Sequence, residues 1–140
     1  MKRICLIVDD DRELPPMISS SLREVFRREW PEEHESIEID FAYSEREGLA
    51  KLRSLRTEDA RLVLITDYDL TDGVGSTLIQ ELDRLQFAHA WSMLQTGTTR
   101  SLLRDDPVVA NLRPDRFVRK PVSFEEYQSR LRYMRGVWGL

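Results

Sequence analysis

The sequence predicts an α/β fold in which helices cover both faces of a five-stranded parallel sheet. Short continuous apolar runs, such as ICLIV at 4–8 and LVLIT at 62–66, are typical of strands that are buried on both faces. Between such runs lie segments whose apolar residues recur every three or four positions, which indicates amphipathic helices. Because strands and helices alternate along the chain, the expected sheet is parallel and doubly wound.

Five strand segments follow one another with a helical segment after each. The apolar or alternating runs predict strands at 4–8, 36–43, 62–66, 89–96 and 116–120. With 140 residues, 41% of them hydrophobic, the chain suits one domain over residues 1–140. The last helix ends about where the chain does, so no output domain is expected in it.

Capping residues place the starts of the predicted helices. Pro15 and Pro16 suit the first turn of a helix over 14–28. Ser44 and Ser123 are each followed three residues later by glutamate, which predicts a capping box before the second and the last helix. The third helix is expected over 77–85 from its leucine and isoleucine spacing. Residues 98–113 are ambiguous, although Asp106 could cap a helix that begins at Pro107.

The net charge and the lengths of the apolar runs argue against several classes of function. The net charge of −4 disfavours direct binding to nucleic acid, for which a basic balance is usual. No apolar run approaches the roughly 20 residues of a membrane span, and the N-terminal run is shorter than the core of a signal peptide. The single cysteine, Cys5, cannot form an internal disulfide. A cytoplasmic protein without membrane contact is expected.

Polar residues follow four of the predicted strands at their carboxyl ends. Asp9 and Asp10 follow the first strand, Asp67 the third, Thr96 ends the fourth and Lys120 ends the fifth. In parallel sheets of this kind, ligands bind at the edge where these ends meet. Carboxylate oxygens suit Mg²⁺, and a carboxylate beside the metal could attack phosphorus while lysine offsets the charge of the transferred group.

This arrangement resembles the receiver domain of two-component response regulators over nearly the whole chain, which implies a flavodoxin-like (βα)5 fold. LIVDDD resembles the first-strand motif, whose acidic pair would be Asp9 and Asp10; both would belong to the metal site, with Asp10 the direct ligand. Asp67 resembles the phosphoacceptor aspartate. The backbone carbonyl of Asp69 would complete the Mg²⁺ site.

The fourth and fifth strands resemble the switch elements of the same family. Thr96, before the small Gly97, resembles the hydroxyl that binds the phosphoryl group. FVRKP resembles the fifth-strand motif, in which Lys120 would pair with the phosphoryl group and Phe117 would be the aromatic switch position. The Lys-Pro bond of this motif is often cis. Thr71 departs from the pattern, because the family usually has proline there.

The resemblance implies a signalling role rather than ordinary enzyme catalysis. The domain would take a phosphoryl group from a histidine kinase or a histidine phosphotransfer protein onto Asp67, and would then switch a protein-interaction surface. A homodimer is one form that the switched domain could take. The cognate kinase and the pathway are not encoded in any motif that we find.

Two alternatives stay open from the residues alone. DYDLT at 67–71 matches the DxDxT motif of haloacid-dehalogenase-type phosphatases, in which Asp67 would be the nucleophile and Asp69 the general acid and base. That motif usually lies near the N-terminus, and no acidic pair stands at a strand end after Lys120, as it would there. The Asp9–Asp10 pair therefore favours the receiver. The other alternative is a receiver-like module that binds partners without being phosphorylated.

Overall fold

The computed structural model describes residues 1–140 and confirms the predicted α/β fold. In chain order the strands are β1 (Lys2–Val8), β2 (Ile37–Ala42), β3 (Ala60–Asp67), β4 (Asp69–Leu70), β5 (Gly73–Val74), β6 (Ala90–Thr96) and β7 (Phe117–Arg119). Five of them form one parallel sheet in the order β2-β1-β3-β6-β7. The other two, β4 and β5, pair as a small antiparallel hairpin that the sequence pattern does not predict.

Four α-helices lie between strands, and a fifth follows the last strand. They are α1 (Leu14–Glu29), α2 (Glu45–Arg56), α3 (Gly75–Leu85), α4 (Pro107–Ala110) and α5 (Phe124–Trp138). The ambiguous stretch contains a 3-10 turn at Arg100–Leu103 and then α4, which is only four residues long. None of the helices combines the length and the apolar composition that a membrane span requires.

The predicted caps position the helices. The Ser44 and Ser123 hydroxyls accept hydrogen bonds from the backbone N–H groups three residues later, at 3.0 and 3.1 Å. The Glu47 carboxylate reaches back to the N–H of Tyr43, one residue before the position that a standard capping box would use. Asp106 caps α4 by accepting from the N–H groups of Val108 and Val109, as its place before Pro107 predicts.

Two hydrophobic cores lie on opposite faces of the sheet, as a doubly wound fold requires. One core contains α1 and α5, and the other contains α2, α3 and α4. Trp138 anchors the end of α5: its ring packs edge-on against Phe26 at 5.2 Å, and its indole N–H donates to the Ile4 carbonyl at 3.1 Å. The sheet is therefore held between two layers, with the carboxyl ends of its strands left at one open edge.

Candidate functional site

Three carboxylates meet at the carboxyl ends of β1 and β3. These strands are neighbours in register, with Val8 opposite Thr66, so the residues that follow them lie side by side. One carboxylate oxygen from each of Asp9, Asp10 and Asp67 lies within 4.8 Å of the others. Like charges this close repel one another unless a cation lies among them, and oxygen ligands of this kind suit a hard divalent ion such as Mg²⁺.

Lys120 reaches the same cluster from the end of β7. Its Nζ lies 2.6 Å from Asp9 Oδ2 and 3.4 Å from Asp67 Oδ1. Its backbone N–H donates to the Thr96 carbonyl at 2.8 Å, and the Lys120–Pro121 bond that follows is cis. Burial alone would lower the pKa of Lys120, but the hydrogen bond to Asp9 and the charges of Asp67 and Asp9 raise it. The lysine therefore stays cationic beside the carboxylates.

The protonation of Asp67 is perturbed by its surroundings. The residue is only 8% exposed, and this burial is the main reason that its pKa rises from 3.8 to about 6. The charge of Asp9 raises the pKa further, while Lys120 and the N–H of Tyr68 oppose the shift. The ionised form of Asp67 is therefore destabilised at neutral pH, and added positive charge would favour it.

Asp9 and Asp10 are held in different ways. Asp9 is 1% exposed and both of its oxygens are engaged, because Oδ1 accepts from the Asp11 N–H at 3.0 Å and Oδ2 contacts Lys120. Asp10 is half-buried, and its Oδ2 accepts one hydrogen bond, from the Thr71 hydroxyl at 2.7 Å. The donor set fits a metal that is ligated by Asp10 and Asp67, with Asp9 holding Lys120 in place.

The remaining predicted residues lie around this cluster. Thr96 is buried at the end of β6, and its hydroxyl accepts from the Thr98 N–H at 3.2 Å. Asp69 is exposed in the hairpin opposite Val74, and its carboxylate makes no hydrogen bond. Phe117 is half-buried against the core that contains α2 and α3, with the Arg100 guanidinium 5.7 Å from its ring centre.

The β4–β5 hairpin is fastened to α2 by a reciprocal pair of carboxylates. Asp72 accepts from the N–H groups of Glu45 and Arg46 at 2.8 and 3.0 Å, and Glu45 accepts from the Val74 N–H at 3.0 Å. The sequence pattern marks Asp72-Gly73 only as a turn. The bonded residues are 26–29 positions apart in the sequence, so no local sequence pattern indicates these contacts and they were not predicted.

Gly75 begins α3 where no side chain fits. A Cβ on Gly75 would lie 2.0 Å from the Asp67 carbonyl oxygen, and its N–H donates to the Tyr68 carbonyl at 2.7 Å. The close approach of two backbone segments therefore demands glycine. This contact fixes the turn that carries Asp67.

A second contact joins this turn to α4. The Tyr68 hydroxyl and the Ser76 hydroxyl both donate to Asp106 Oδ2, at 2.9 and 2.6 Å. Burial and the hydrogen bond to Asp106 raise the pKa of Tyr68 to about 12, so the phenol stays protonated and keeps its donor. The residue next to Asp67 is thus tied to the cap of α4.

Comparison with known proteins identifies the fold. No family model matches the sequence, and no curated protein sequence matches it either. Solved structures do match, among them a receiver domain protein from Clostridium thermocellum with 18% identity and a TM-score of 0.69, covering 98% of this chain and 94% of that one. A CheY-like receiver domain protein from Methanospirillum hungatei JF-1 has 21% identity and a TM-score of 0.68, with 99% and 98% covered.

A response regulator receiver protein from Sinorhizobium medicae WSM419 is similar at 14% identity, with a TM-score of 0.70 and 97% of each chain covered. The likeness therefore extends over nearly the whole chain. The fold is that of response regulator receiver domains, as the sequence motifs suggested. At these identities the comparison establishes the fold, and the chemistry has to be inferred from the site.

Proposed function

We propose that this chain is a phosphoacceptor domain of a two-component system, in which Asp67 takes a phosphoryl group from a phosphohistidine. The observation that carries the proposal is the placement of Asp67, with Asp9, Asp10 and Lys120 gathered around its nearly buried carboxylate. This is the set of groups that acceptance of a phosphoryl group requires: an oxygen nucleophile, acidic metal ligands and a fixed cation.

The chemistry follows from these groups. An ionised Asp67 oxygen attacks phosphorus and forms a P–O bond as the P–N bond to the donor imidazole breaks. The bonding electrons go to the imidazole nitrogen, and the product is an aspartyl phosphate. Mg²⁺ held by Asp10, Asp67 and the Asp69 carbonyl would supply positive charge that favours ionised Asp67 and offsets the charge on the phosphoryl oxygens. Lys120 lies 3.4 Å from Asp67 and can pair with those oxygens.

Signalling would follow from the new charge on Asp67. In this proposal the Thr96 hydroxyl leaves the Thr98 N–H and binds the phosphoryl group, and the side chain of Phe117 moves inward as it does so. The half-buried position of Phe117 beside Arg100 supports this role, since part of the residue stays accessible to solvent. The two arrangements would present different surfaces near α4 and α5 to a partner or to a second copy of the chain.

The donor would be a histidine kinase or a histidine phosphotransfer protein. An apolar groove of about 440 Å³ lies between α1 and the start of α5, and Lys120 forms part of its wall. Met17 lines the groove and is 63% exposed, so its side chain adds to the apolar surface of the groove rather than to the core. Continuity with the acceptor site favours docking of the phosphohistidine domain here.

Met17→Glu tests this docking surface. The change should slow transfer from a phosphorylated histidine domain while leaving labelling by acetyl phosphate unchanged, because the small donor does not need the groove. Ser20→Glu, at an exposed position on the same helix outside the groove, is the matched control. Equal transfer rates for parent and Met17→Glu would exclude the groove as the docking site.

Intact mass tests the acceptor. After incubation with acetyl phosphate and Mg²⁺, the parent should gain the mass of one phosphoryl group, and Asp67→Asn should gain none. A gain that survives in Asp67→Asn would contradict the assignment. A phosphatase of the DxDxT type would instead hydrolyse a general phosphate ester over many turnovers and would lose that turnover in Asp69→Asn.

A further inference from the structure

We propose that Thr71 is a positioning residue that holds the Asp10 carboxylate in the orientation that receives Mg²⁺. The inference rests on the proposed function, because it assigns a role within the same site. Its basis is the hydrogen bond of 2.7 Å from the Thr71 hydroxyl to Asp10 Oδ2, which joins two loops that are 61 residues apart in the sequence.

Asp10 has no other contact that fixes its carboxylate. Asp9 is held by a backbone N–H and by Lys120, and Asp67 is buried against Lys120. The Asp10 carboxylate, by contrast, makes no ion pair and accepts only the bond from Thr71. Since that bond occupies Oδ2, Oδ1 is left free to ligate a metal. A carboxylate ligand with a hydrogen-bonded second oxygen is the usual arrangement around bound metals.

Thr71 is itself fixed, which makes it an effective donor. It lies in the hairpin between β4 and β5, and the next residue, Asp72, accepts two hydrogen bonds from the first turn of α2. On the other side of the turn, Glu45 binds the Val74 N–H. Gly73 permits this contact, because a Cβ there would meet the Glu45 carboxylate at 1.4 Å. The contacts with α2 therefore fix the hairpin, and through Thr71 the hairpin fixes the Asp10 carboxylate.

The role is specific to the hydroxyl at this position. The family that the sequence resembles usually has proline there, and proline carries no side-chain donor. A threonine at position 71 therefore supplies Asp10 with a side-chain donor that proline could not supply. A charge-assisted hydrogen bond to a carboxylate of this length is stronger than a neutral one.

The test compares Mg²⁺ affinity of the parent, Thr71→Val, Thr71→Ser and Thr99→Val by calorimetric titration. Valine keeps the shape of threonine and lacks the hydroxyl, so Thr71→Val should bind Mg²⁺ about tenfold more weakly, at the lower end of the range for changes in outer-shell contacts. Thr71→Ser restores the donor and should bind nearly as the parent does. Thr99 is an exposed threonine without a side-chain hydrogen bond and serves as the matched control.

A second measurement needs no metal. Amide hydrogen exchange at residues 71–74 should be faster in metal-free Thr71→Val than in the parent, while the melting temperature changes by no more than a few degrees, because the bond lies at the surface. Unchanged hydrogen exchange in Thr71→Val would overturn the proposal. So would an Mg²⁺ affinity of Thr71→Val that equals or exceeds that of the parent. A Thr71→Ser variant that binds Mg²⁺ as weakly as Thr71→Val would also overturn it. A parent that binds no Mg²⁺ would refute the proposed metal site itself, and this inference would fall with it.

Discussion

Asp67→Asn should make the metal-free protein more stable, although it removes the proposed acceptor. The cause is that the protein destabilises the ionised form of Asp67, whose pKa is raised from 3.8 to about 6 mainly by burial. Because the folded state holds a proton that the unfolded state releases, the parent loses stability as the pH rises from about 4 to about 6. Above that range the difference between the two pKa values corresponds to about 3 kcal/mol. Asparagine, which stays neutral, avoids this cost.

The expected size can be worked out for a melting experiment. For a domain of this length, about 3 kcal/mol corresponds to a rise of about 10 °C in melting temperature at pH 7 without Mg²⁺. At pH 4.5 Asp67 is almost fully protonated in the folded state, and the advantage of asparagine should shrink to about 1 kcal/mol. Saturating Mg²⁺ should raise the melting temperature of the parent more than that of the variant, which keeps the other metal ligands but lacks the Asp67 charge. The difference between the two melting temperatures should therefore shrink or change sign.

The assay is thermal unfolding in chelator-treated buffer from pH 4.5 to 7.5, with and without Mg²⁺. Asp69→Asn is the matched control, because it removes an exposed carboxylate two residues away and should change the melting temperature little. The reasoning would be refuted if Asp67→Asn were no more stable than the parent at pH 7. An advantage that did not change with pH would also refute it, since the gain would then not come from ionisation.

Three further substitutions test the packing around the site. Gly75→Ala should cost about 3 kcal/mol of folding free energy, because its Cβ would lie 2.0 Å from the backbone carbonyl of Asp67; chemical denaturation measures this. Gly73→Ala should cost only about 1 kcal/mol of folding free energy, since its Cβ would meet only the flexible end of the Glu45 side chain on α2. Equal losses of stability in Gly73→Ala and Gly75→Ala would contradict this difference between side-chain and backbone clashes. Lys120→Met should destabilise by about 3 kcal/mol by leaving the buried Asp9 carboxylate unpaired, and Mg²⁺ should restore part of the loss.

The parts of the fold that the sequence predicts are those whose causes are local. Apolar runs such as LVLIT bury both faces of a central strand, and the capping residues Ser44 and Ser123 bind N–H groups three positions away. The order of elements then follows from alternation alone. The strand at 62–66 begins two residues earlier and ends one later than predicted, because Ala60 and Asp67 still pair with neighbouring strands although they are not part of the apolar run.

The parts that the sequence does not predict depend on contacts between distant segments. A two-residue strand has too few residues to show alternation, so the β4–β5 hairpin gives no pattern. The stretch at 98–113 becomes a 3-10 turn and one turn of α-helix, because Pro107 can only begin a helix and Asp106 is held by Tyr68 from another loop. Nothing near Asp106 in the sequence indicates that contact.

The same distinction between local causes and distant contacts applies to the candidate site. Asp9, Asp10, Asp67 and Lys120 could be grouped from the sequence, because each follows a strand and parallel strands bring such ends together. The groups that orient them could not. Thr71 was notable only as a departure from a usual proline, and its meaning depends on a hairpin whose anchors lie on α2. Strand ends therefore determine which groups meet, and loop contacts determine how they are oriented, so variants in the loops should change metal affinity while leaving the sheet intact.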